Sequence, residues 1–209
     1  MRRVLLVEDH QIVRDGLKTL LREQAITVFG EASTAADALS LAREEEWDLA
    51  VVDISLGGRS GLDVVREIKQ IRPQVPVLVL SMHSEEQYAR RAYKAGAAGY
   101  VTKDSPRAEL ASAIAKVIGG GRYVSTTFAD RLVVDLERDT DQPSHQALSD
   151  REFEVMRLMA SGKTTGEIAE LLALSDKTVS TYRARILEKM HLDTNAELIR
   201  YVLENKLID

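Results

Sequence analysis

The sequence predicts two folds in series, an α/β domain built on a five-stranded doubly wound parallel sheet and then an all-α four-helix domain with a helix-turn-helix. Residues 1–120 alternate short apolar runs with longer amphipathic stretches, whereas residues after 147 show helical periodicity only. The stretch between them is polar and contains glycine and proline. A chain of 209 residues also suits two cores better than one. We therefore predict domains at 1–120 and 147–209, joined by a linker at 121–146.

Five apolar runs predict the strands of the sheet. The runs VLLV, LAVV and VLVL are apolar throughout, which is typical of central strands covered on both faces. The predicted strands are 4–7, 27–32, 49–53, 77–81 and 98–101. Amphipathic periods between and after them predict helices at 11–23, 34–45, 61–71, 85–95 and 106–118.

The rest of the chain shows helical patterns alone. One short helix is possible inside the linker, at 127–136. The second domain should contain helices at 150–160, 165–173, 176–190 and 195–204, which begin after polar residues suited to helix caps.

Composition excludes several classes of protein. The chain has no cysteine, so it has no disulfide framework, no thiolate metal site and no cysteine nucleophile. Its start, MRRVLLVEDH, is interrupted by two acids and does not resemble a signal peptide, and no apolar run approaches membrane-spanning length. We therefore expect a cytoplasmic protein that does not enter membranes. The net charge of −5 means that any contact with nucleic acid must come from a local patch.

Polar side chains follow four of the predicted strands. Glu8 and Asp9 follow the first, Asp53 ends the third, Ser81 ends the fourth and Lys103 lies just beyond the fifth. The carboxyl ends of parallel strands meet at one edge of a sheet, so these groups should lie together. Each residue alone would be an ordinary turn or cap former, but their joint placement favours a site. Three carboxylates favour a hard cation, and an open, hydrated site favours Mg²⁺.

Four motifs, VLLVEDH, AVVDISL, VLVLSMH and GYVTKDSP, resemble the receiver (flavodoxin-like) domain of two-component response regulators over residues 1–120. The resemblance implies that Asp53 accepts a phosphoryl group from a histidine kinase. It also implies that Glu8, Asp9, Asp53 and the backbone carbonyl of Ser55 hold Mg²⁺. Further residues it assigns are Ser81 and Lys103, which would contact the phosphoryl oxygens, and Tyr100, the switch aromatic.

The first half departs from the receiver pattern at two places. Gly57 and Gly58 stand where many receivers have a proline, and Asp104 replaces the proline that often follows the lysine. The Lys103–Asp104 bond could be cis or trans on the sequence alone. Loop geometry and the lifetime of the phosphoryl group are therefore open, whereas every reactive side chain is present.

The second half contains the helix-turn-helix pattern TTGEIAELLALSDKTVSTYRARILEKM. Residues 177–189 contain four basic residues and one acid, unlike the acidic chain as a whole. Charge alone would fit a solvated helix face equally well. The motif, however, resembles the DNA-binding domain of the LuxR/NarL/FixJ family over 147–209. The resemblance implies DNA contacts by Lys177, Thr178, Ser180, Thr181, Arg183, Ala184, Arg185 and Lys189, and dimer contacts by Leu198, Val202 and Leu203.

Together the two resemblances predict a phosphorylation-dependent transcription regulator that binds double-stranded DNA as a homodimer when active. We expect no enzyme activity beyond the protein's own phosphoryl transfer and autodephosphorylation. A phosphatase of the haloacid dehalogenase type would need a second aspartate where Ser55 stands. A pseudo-receiver that never takes phosphate is disfavoured by the complete set of site residues. The kinase, the signal, the operator and the sign of regulation are not determined by the sequence.

Overall fold

The computed structural model describes residues 2–56, 59–130 and 144–208, with the side chains of Glu86 and Ser144 outside the description. The chain divides into two compact units, residues 1–137 and 138–209. Within the described ranges, no helix is long and apolar enough to cross a membrane.

The first unit is built on a parallel sheet. Its strands are β1 (Arg3–Val7), β2 (Val28–Ala32), β3 (Leu49–Asp53), β4 (Ser55–Leu56), β5 (Arg59–Ser60), β6 (Val77–Ser81) and β7 (Gly99–Thr102). Five of these form one sheet in the order β2-β1-β3-β6-β7, with every neighbouring pair parallel. This order confirms the predicted doubly wound fold. Its topological switch point lies between β1 and β3, where ligands of such folds bind.

Helices cover the sheet as the apolar strands require. They are α1 (Gln11–Glu23), α2 (Ala35–Glu44), α3 (Gly61–Ile71), α4 (Glu85–Lys94) and α5 (Arg107–Ile118). Every residue of β3 and β6 is buried. Leu6 and Leu78 pack in one cluster with Leu21 of α1 and Ile114 of α5. Burial on both faces explains why these strands carry no alternating polar residues.

A short hairpin follows β3, and the sequence did not predict it. β4 pairs antiparallel with β5 through Ser55 and Ser60, whereas Gly57 and Gly58 lie outside the described residues. The chain then returns so closely that the N–H of Gly61 donates to the carbonyl of Ile54 at 2.8 Å. A Cβ atom on Gly61 would overlap the backbone oxygen of Asp53. Glycine is therefore required where this loop closes against the strand end.

Part of the predicted linker packs on the first unit. The N–H of Tyr123 donates to the carbonyl of Ala98 at 2.8 Å, and Tyr123 forms an isolated parallel β-bridge with Gly99, the first residue of β7. Phe128 is buried, with its ring 5.7 Å from that of Tyr93. Residues of the predicted linker near Tyr123 and Phe128 therefore contact the first unit, and the linker boundary at 121 stays a prediction. The helix predicted at 127–136 begins at residue 126, and residues 131–136 lie outside the described ranges.

The second unit is helical, as predicted. A 3-10 turn (Ser144–Ala147) precedes α6 (Asp150–Ala160), α7 (Thr165–Leu171), α8 (Asp176–Met190) and α9 (Asn195–Glu204). Capping boxes begin three of them, with Ser149, Thr164 and Thr194 as the N-cap residues. α7 is shorter than predicted because the chain turns at Ala173, whose φ is 51°. The core contains Phe153, Met156, Ile168, Val179 and Ile186, all at most 2% exposed.

Candidate functional site

The predicted polar residues meet at the carboxyl edge of the sheet. Glu8 and Asp9 follow β1, Asp53 ends β3, Ser81 ends β6 and Lys103 follows β7. The Lys103 ammonium lies 2.6 Å from Glu8 Oε2 and 2.8 Å from Asp53 Oδ2. Both carboxylates are 2% exposed. One lysine therefore joins two buried acids that come from neighbouring strands.

Burial controls the electrostatics of this group. Desolvation raises the pKa of Asp53 to about 6, and the charge of Glu8 adds to the shift. Hydrogen bonds from Lys103 and from the backbone of Ser55 oppose it. Burial alone would lower the pKa of Lys103, but its contacts with Asp53 and Glu8 raise it overall. At neutral pH, Asp53 is therefore ionised beside a cation, in surroundings that penalise its charge.

Three residues that directly follow β1 lie close enough together to hold a metal ion. Ligand atoms of Glu8, Asp9 and His10 lie within 4.8 Å of one another. Asp53 Oδ1 is buried and, within the described part of the chain, accepts no hydrogen bond. Such an oxygen is a suitable ligand for a hard cation. His10 was not predicted, although it directly follows the acidic pair in the motif VLLVEDH.

Ser81 and Tyr100 are linked through a residue that the sequence did not single out. Ser81 is fully buried, and its Oγ accepts a hydrogen bond from the N–H of His83 at 3.0 Å. The hydroxyl of Tyr100 donates to the carbonyl of His83 at 2.7 Å. The His83 ring stacks on Tyr88 with centroids 4.6 Å apart. Tyr100 therefore already lies inward, with 1% of its surface exposed.

Arg14 contacts the backbone of the acidic segment that follows β1. The residue is 9% exposed, and Nη1 donates to the backbone carbonyl of Glu8 at 2.5 Å. Nη2 donates to Gln11 Oε1, and Nε donates to Glu31 Oε2 at 3.4 Å. The residue was missed because a lone arginine on an amphipathic helix resembles a solvated one.

The peptide bond between Lys103 and Asp104, which the sequence left as cis or trans, is trans.

Four of the predicted DNA contacts share one exposed face of α8. Lys177, Ser180, Thr181 and Ala184 are exposed, at spacings that place them along one side of a helix. The opposite side contributes the buried Val179, Ile186 and Met190 to the core. Arg183 and Arg185 are exposed on the two flanks, and Thr178 is half-buried. Ser175 caps the helix by accepting from the N–H of Thr178 at 3.1 Å.

The structure gives Lys189 a role inside the unit. Its ammonium lies 2.6 Å from Glu152 Oε2, and Glu152 is 3% exposed. Glu152 also accepts from the N–H of Ser149, as part of the capping box of α6. Lys189 therefore neutralises a buried acid within the unit, and its contact with DNA stays a prediction.

The predicted dimer residues also require correction. Leu198 and Val202 are fully buried in the core of the second unit, so neither side chain is available to a partner. They lie on the inner face of α9, whereas Leu203 is 58% exposed. Ile199, one turn before Leu203, is 36% exposed and was not predicted. The exposed apolar face of α9 therefore consists of Ile199 and Leu203.

Comparison with known proteins places both units in established families. Residues 4–115 match the family described as "Response regulator receiver domain". Residues 146–202 match "Bacterial regulatory proteins, luxR family". Between them the two matches span most of the chain.

Relatives match both parts in the same order. A putative transcriptional regulator of Pseudomonas aeruginosa is 38% identical over 100% of both chains. The response regulator UvrY of Escherichia coli is 34% identical, over 98% of this chain and 94% of UvrY. A solved structure of the response regulator RcsB of Salmonella typhimurium is 25% identical with a TM-score of 0.57, covering 98% of this chain and 100% of that one. The chain therefore belongs to the LuxR family of two-component response regulators, with a receiver domain followed by a LuxR-type DNA-binding domain.

Proposed function

We propose that Asp53 accepts a phosphoryl group from the phosphohistidine of a sensor histidine kinase. The observation that supports this most directly is the buried Asp53 carboxylate, held 2.8 Å from the Lys103 ammonium beside Glu8. In the transfer, an Asp53 oxygen forms a bond to phosphorus while the bond from phosphorus to the histidine nitrogen breaks. Lys103 and the hydroxyl of Ser81 bind the phosphoryl oxygens. Such a reaction needs positioning and charge neutralisation more than acid or base catalysis.

The acidic residues fit Mg²⁺ as the cofactor of this step. Glu8, Asp9 and Asp53, with the carbonyl of Ser55, are the residues that would hold it, because their oxygens are ligands that magnesium prefers. The unpartnered Oδ1 of Asp53 and the close carboxylates of Glu8 and Asp9 support the assignment. When bound, Mg²⁺ supplies positive charge that balances the negative charge on the transferred group.

The same residues argue for a switch rather than a phosphatase. A haloacid dehalogenase would carry a general acid two residues after its nucleophile, where this chain has Ser55 in β4. Without that acid, turnover is limited to the protein's own phosphoryl transfer and autodephosphorylation.

The output of the switch is DNA binding by the second unit. The exposed face of α8, with Lys177, Ser180 and Thr181, suits the major groove, and Arg183 and Arg185 suit phosphates on either side. One helix-turn-helix reads one half-site, so paired half-sites and a homodimer follow. Phosphorylation at Asp53 shifts an existing equilibrium toward the dimeric, DNA-binding form. A regulator of chromosomal genes acts in the cytoplasm, where bacterial DNA lies.

Acetyl phosphate tests the phosphoacceptor. The intact protein, incubated with acetyl phosphate and Mg²⁺, should gain the mass of one phosphoryl group, and Asp53→Ala should gain none. Asp63→Ala, which changes a half-buried aspartate on α3, is the matched control and should gain phosphate normally. Equal gain by Asp53→Ala and the wild type would refute the assignment.

Selection of bound duplexes from a random pool tests the output. The pool should yield paired half-sites with phosphorylated protein and much weaker enrichment without phosphorylation. Equal enrichment in both states would rule out the switch and leave the DNA-binding unit unaffected.

A further inference from the structure

A polar cleft lies on the second unit, at the edge of the exposed face of α8. It has a volume of about 430 Å³ and lies where α7, α8 and α9 approach one another. Its charged or amide-bearing lining residues are Lys163, Arg183 and Asn195, and Ser180, Thr164 and Thr165 contribute hydroxyls. Asn195 is the first residue of α9 and belongs to no predicted DNA-binding element.

Arg183 is held in place by Asn195. Its Nε donates to Asn195 Oδ1 at 2.7 Å, across the gap between α8 and α9. Among the described residues, neither terminal nitrogen of Arg183 has a hydrogen-bond or ion-pair partner. Asn195 is neutral, so it fixes the guanidinium without neutralising its charge. Four N–H donors of Arg183 therefore stay available to an anion.

The charges around the cleft favour an anion. Lys163 and Arg183 are both exposed, and no acid lines the cleft. Glu167 lies beside the cleft, with its Oε1 3.9 Å from the Lys163 ammonium. Its carboxylate is engaged by the N–H and the hydroxyl of Thr164, each at 2.8 Å, in the capping box of α7. Among the described residues, Arg183 therefore faces the cleft with no acid paired to it, whereas Lys163 has only the long contact with Glu167.

We propose that Asn195 is a positioning residue that holds Arg183 so that, with Lys163, it binds one backbone phosphate of DNA in this cleft. The inference rests on the proposed DNA binding. It names the residues that contact the DNA backbone at one edge of the interface. A guanidinium that is fixed in place can donate to two oxygens of one phosphate in a bidentate manner. Ser180, on the groove-facing side of α8, also lines the cleft. A phosphate bound here would therefore set how α8 lies relative to the bases.

The proposal predicts a specific energetic pattern. An arginine fixed beforehand loses less side-chain freedom on binding, so Asn195→Ala should weaken DNA binding about two- to tenfold. Arg183→Gln should remove the phosphate contact itself and reduce the salt slope of the binding constant by about 1. Because Asn195 acts through Arg183, adding Asn195→Ala to Arg183→Gln should cost nothing further.

The experiment is a double-mutant cycle on the full chain, phosphorylated with acetyl phosphate. Fluorescence anisotropy with a labelled random-sequence duplex gives the binding constant over a series of salt concentrations. The variants are Asn195→Ala, Arg183→Gln, their combination and Lys163→Gln, and thermal unfolding verifies that each is folded. Asn205→Ala is the matched control, since Asn205 follows the other end of α9 and, among the described residues, its side chain bonds only to the backbone carbonyl of Tyr201. It should bind DNA as the wild type does.

The outcomes separate this proposal from the proposed function. Non-additive losses with a reduced salt slope for Arg183→Gln support the positioning role. Additive losses, or wild-type binding by Asn195→Ala, overturn it while DNA binding stands. A merely structural role would lower stability and leave the salt slope unchanged, which also overturns it. A wild-type protein that binds no duplex at all would overturn both.

Discussion

Lys103 is the residue on which the acidic site depends. Its ammonium contacts carboxylates of both Glu8 and Asp53, which come from strands that are neighbours in the sheet. Without it, two buried acids would face each other with no cation of the protein between them. The identity of Lys103 was predictable from the motif GYVTKDSP, whereas its simultaneous contact with both acids was not.

Replacement of Lys103 by methionine should slow phosphate uptake from acetyl phosphate at least about tenfold, because the charge that stabilises the transferred group is lost. The uptake rate is followed by intact mass. Lys116→Met, which changes an exposed lysine on α5, is the matched control and should leave the rate unchanged. A wild-type rate for Lys103→Met would contradict a role for Lys103 in the transfer.

Glu152 makes the stability of the second unit depend on pH. Burial raises its pKa, but hydrogen bonds from Lys189 and Ser149 outweigh that effect, and the net shift is below the ordinary value of 4.5. The ionised form is therefore favoured by folding. Its stabilisation is fully present above pH 4.5 and is lost as the pH falls through the folded pKa.

In urea titrations, the second unit of the wild type should therefore lose stability from about pH 5 downward. Glu152→Gln cannot ionise, so it should be less stable at pH 7 and should lose this part of the pH dependence. Glu204→Gln, at the exposed end of α9, is the comparison. Equal pH profiles for the wild type and Glu152→Gln would contradict the argument.

At the scale of elements, strands and helices that are long and periodic were predicted well. The apolar runs gave β1, β3 and β6 to within a residue at each end, because burial on both faces leaves a continuous apolar signal. The β4–β5 hairpin was missed because two-residue strands have no period to detect. The segment that contains Tyr123 and Phe128 was predicted to be linker because it begins with three glycines. Its two aromatic residues nevertheless pack on the first unit.

The hairpin makes Gly61 a sensitive position. Gly61→Ala should destabilise the first unit by about 1–3 kcal/mol and slow phosphate uptake, because the new methyl group displaces the Asp53 backbone. Gly16→Ala is the control, since nothing lies within 4 Å of a Cβ there and alanine favours the helix by about 0.5–1 kcal/mol. Denaturant unfolding and mass spectrometry measure the two effects. Wild-type stability for Gly61→Ala would show that the loop can move aside.

At the scale of the whole molecule, each activity belongs to one compact unit. All proposed phosphoacceptor residues lie from Glu8 to Lys103, and all proposed DNA contacts lie from Lys163 onward. The two units have separate cores, one around the sheet and the other around Phe153. Damage to one core should therefore spare the activity of the other.

Phe153→Ala tests this independence. The side chain is 1% exposed, so its truncation should destabilise the second unit by about 3–5 kcal/mol and reduce DNA binding. Phosphate uptake at Asp53 should stay at the wild-type rate. Loss of uptake in Phe153→Ala would show that the units depend on each other for folding.

The sequence by itself determined the class of both units and most of the reactive residues. Strand ends carry Asp53, Ser81 and the acidic pair, and periodicity together with motif places α8 and its exposed face, because these signals are local in the chain. Only the tertiary structure decided which groups touch. It showed that Lys103 joins Glu8 to Asp53, that Leu198 is core rather than interface and that Asn195 holds Arg183. Each of these depends on contacts between elements, which a local pattern does not encode.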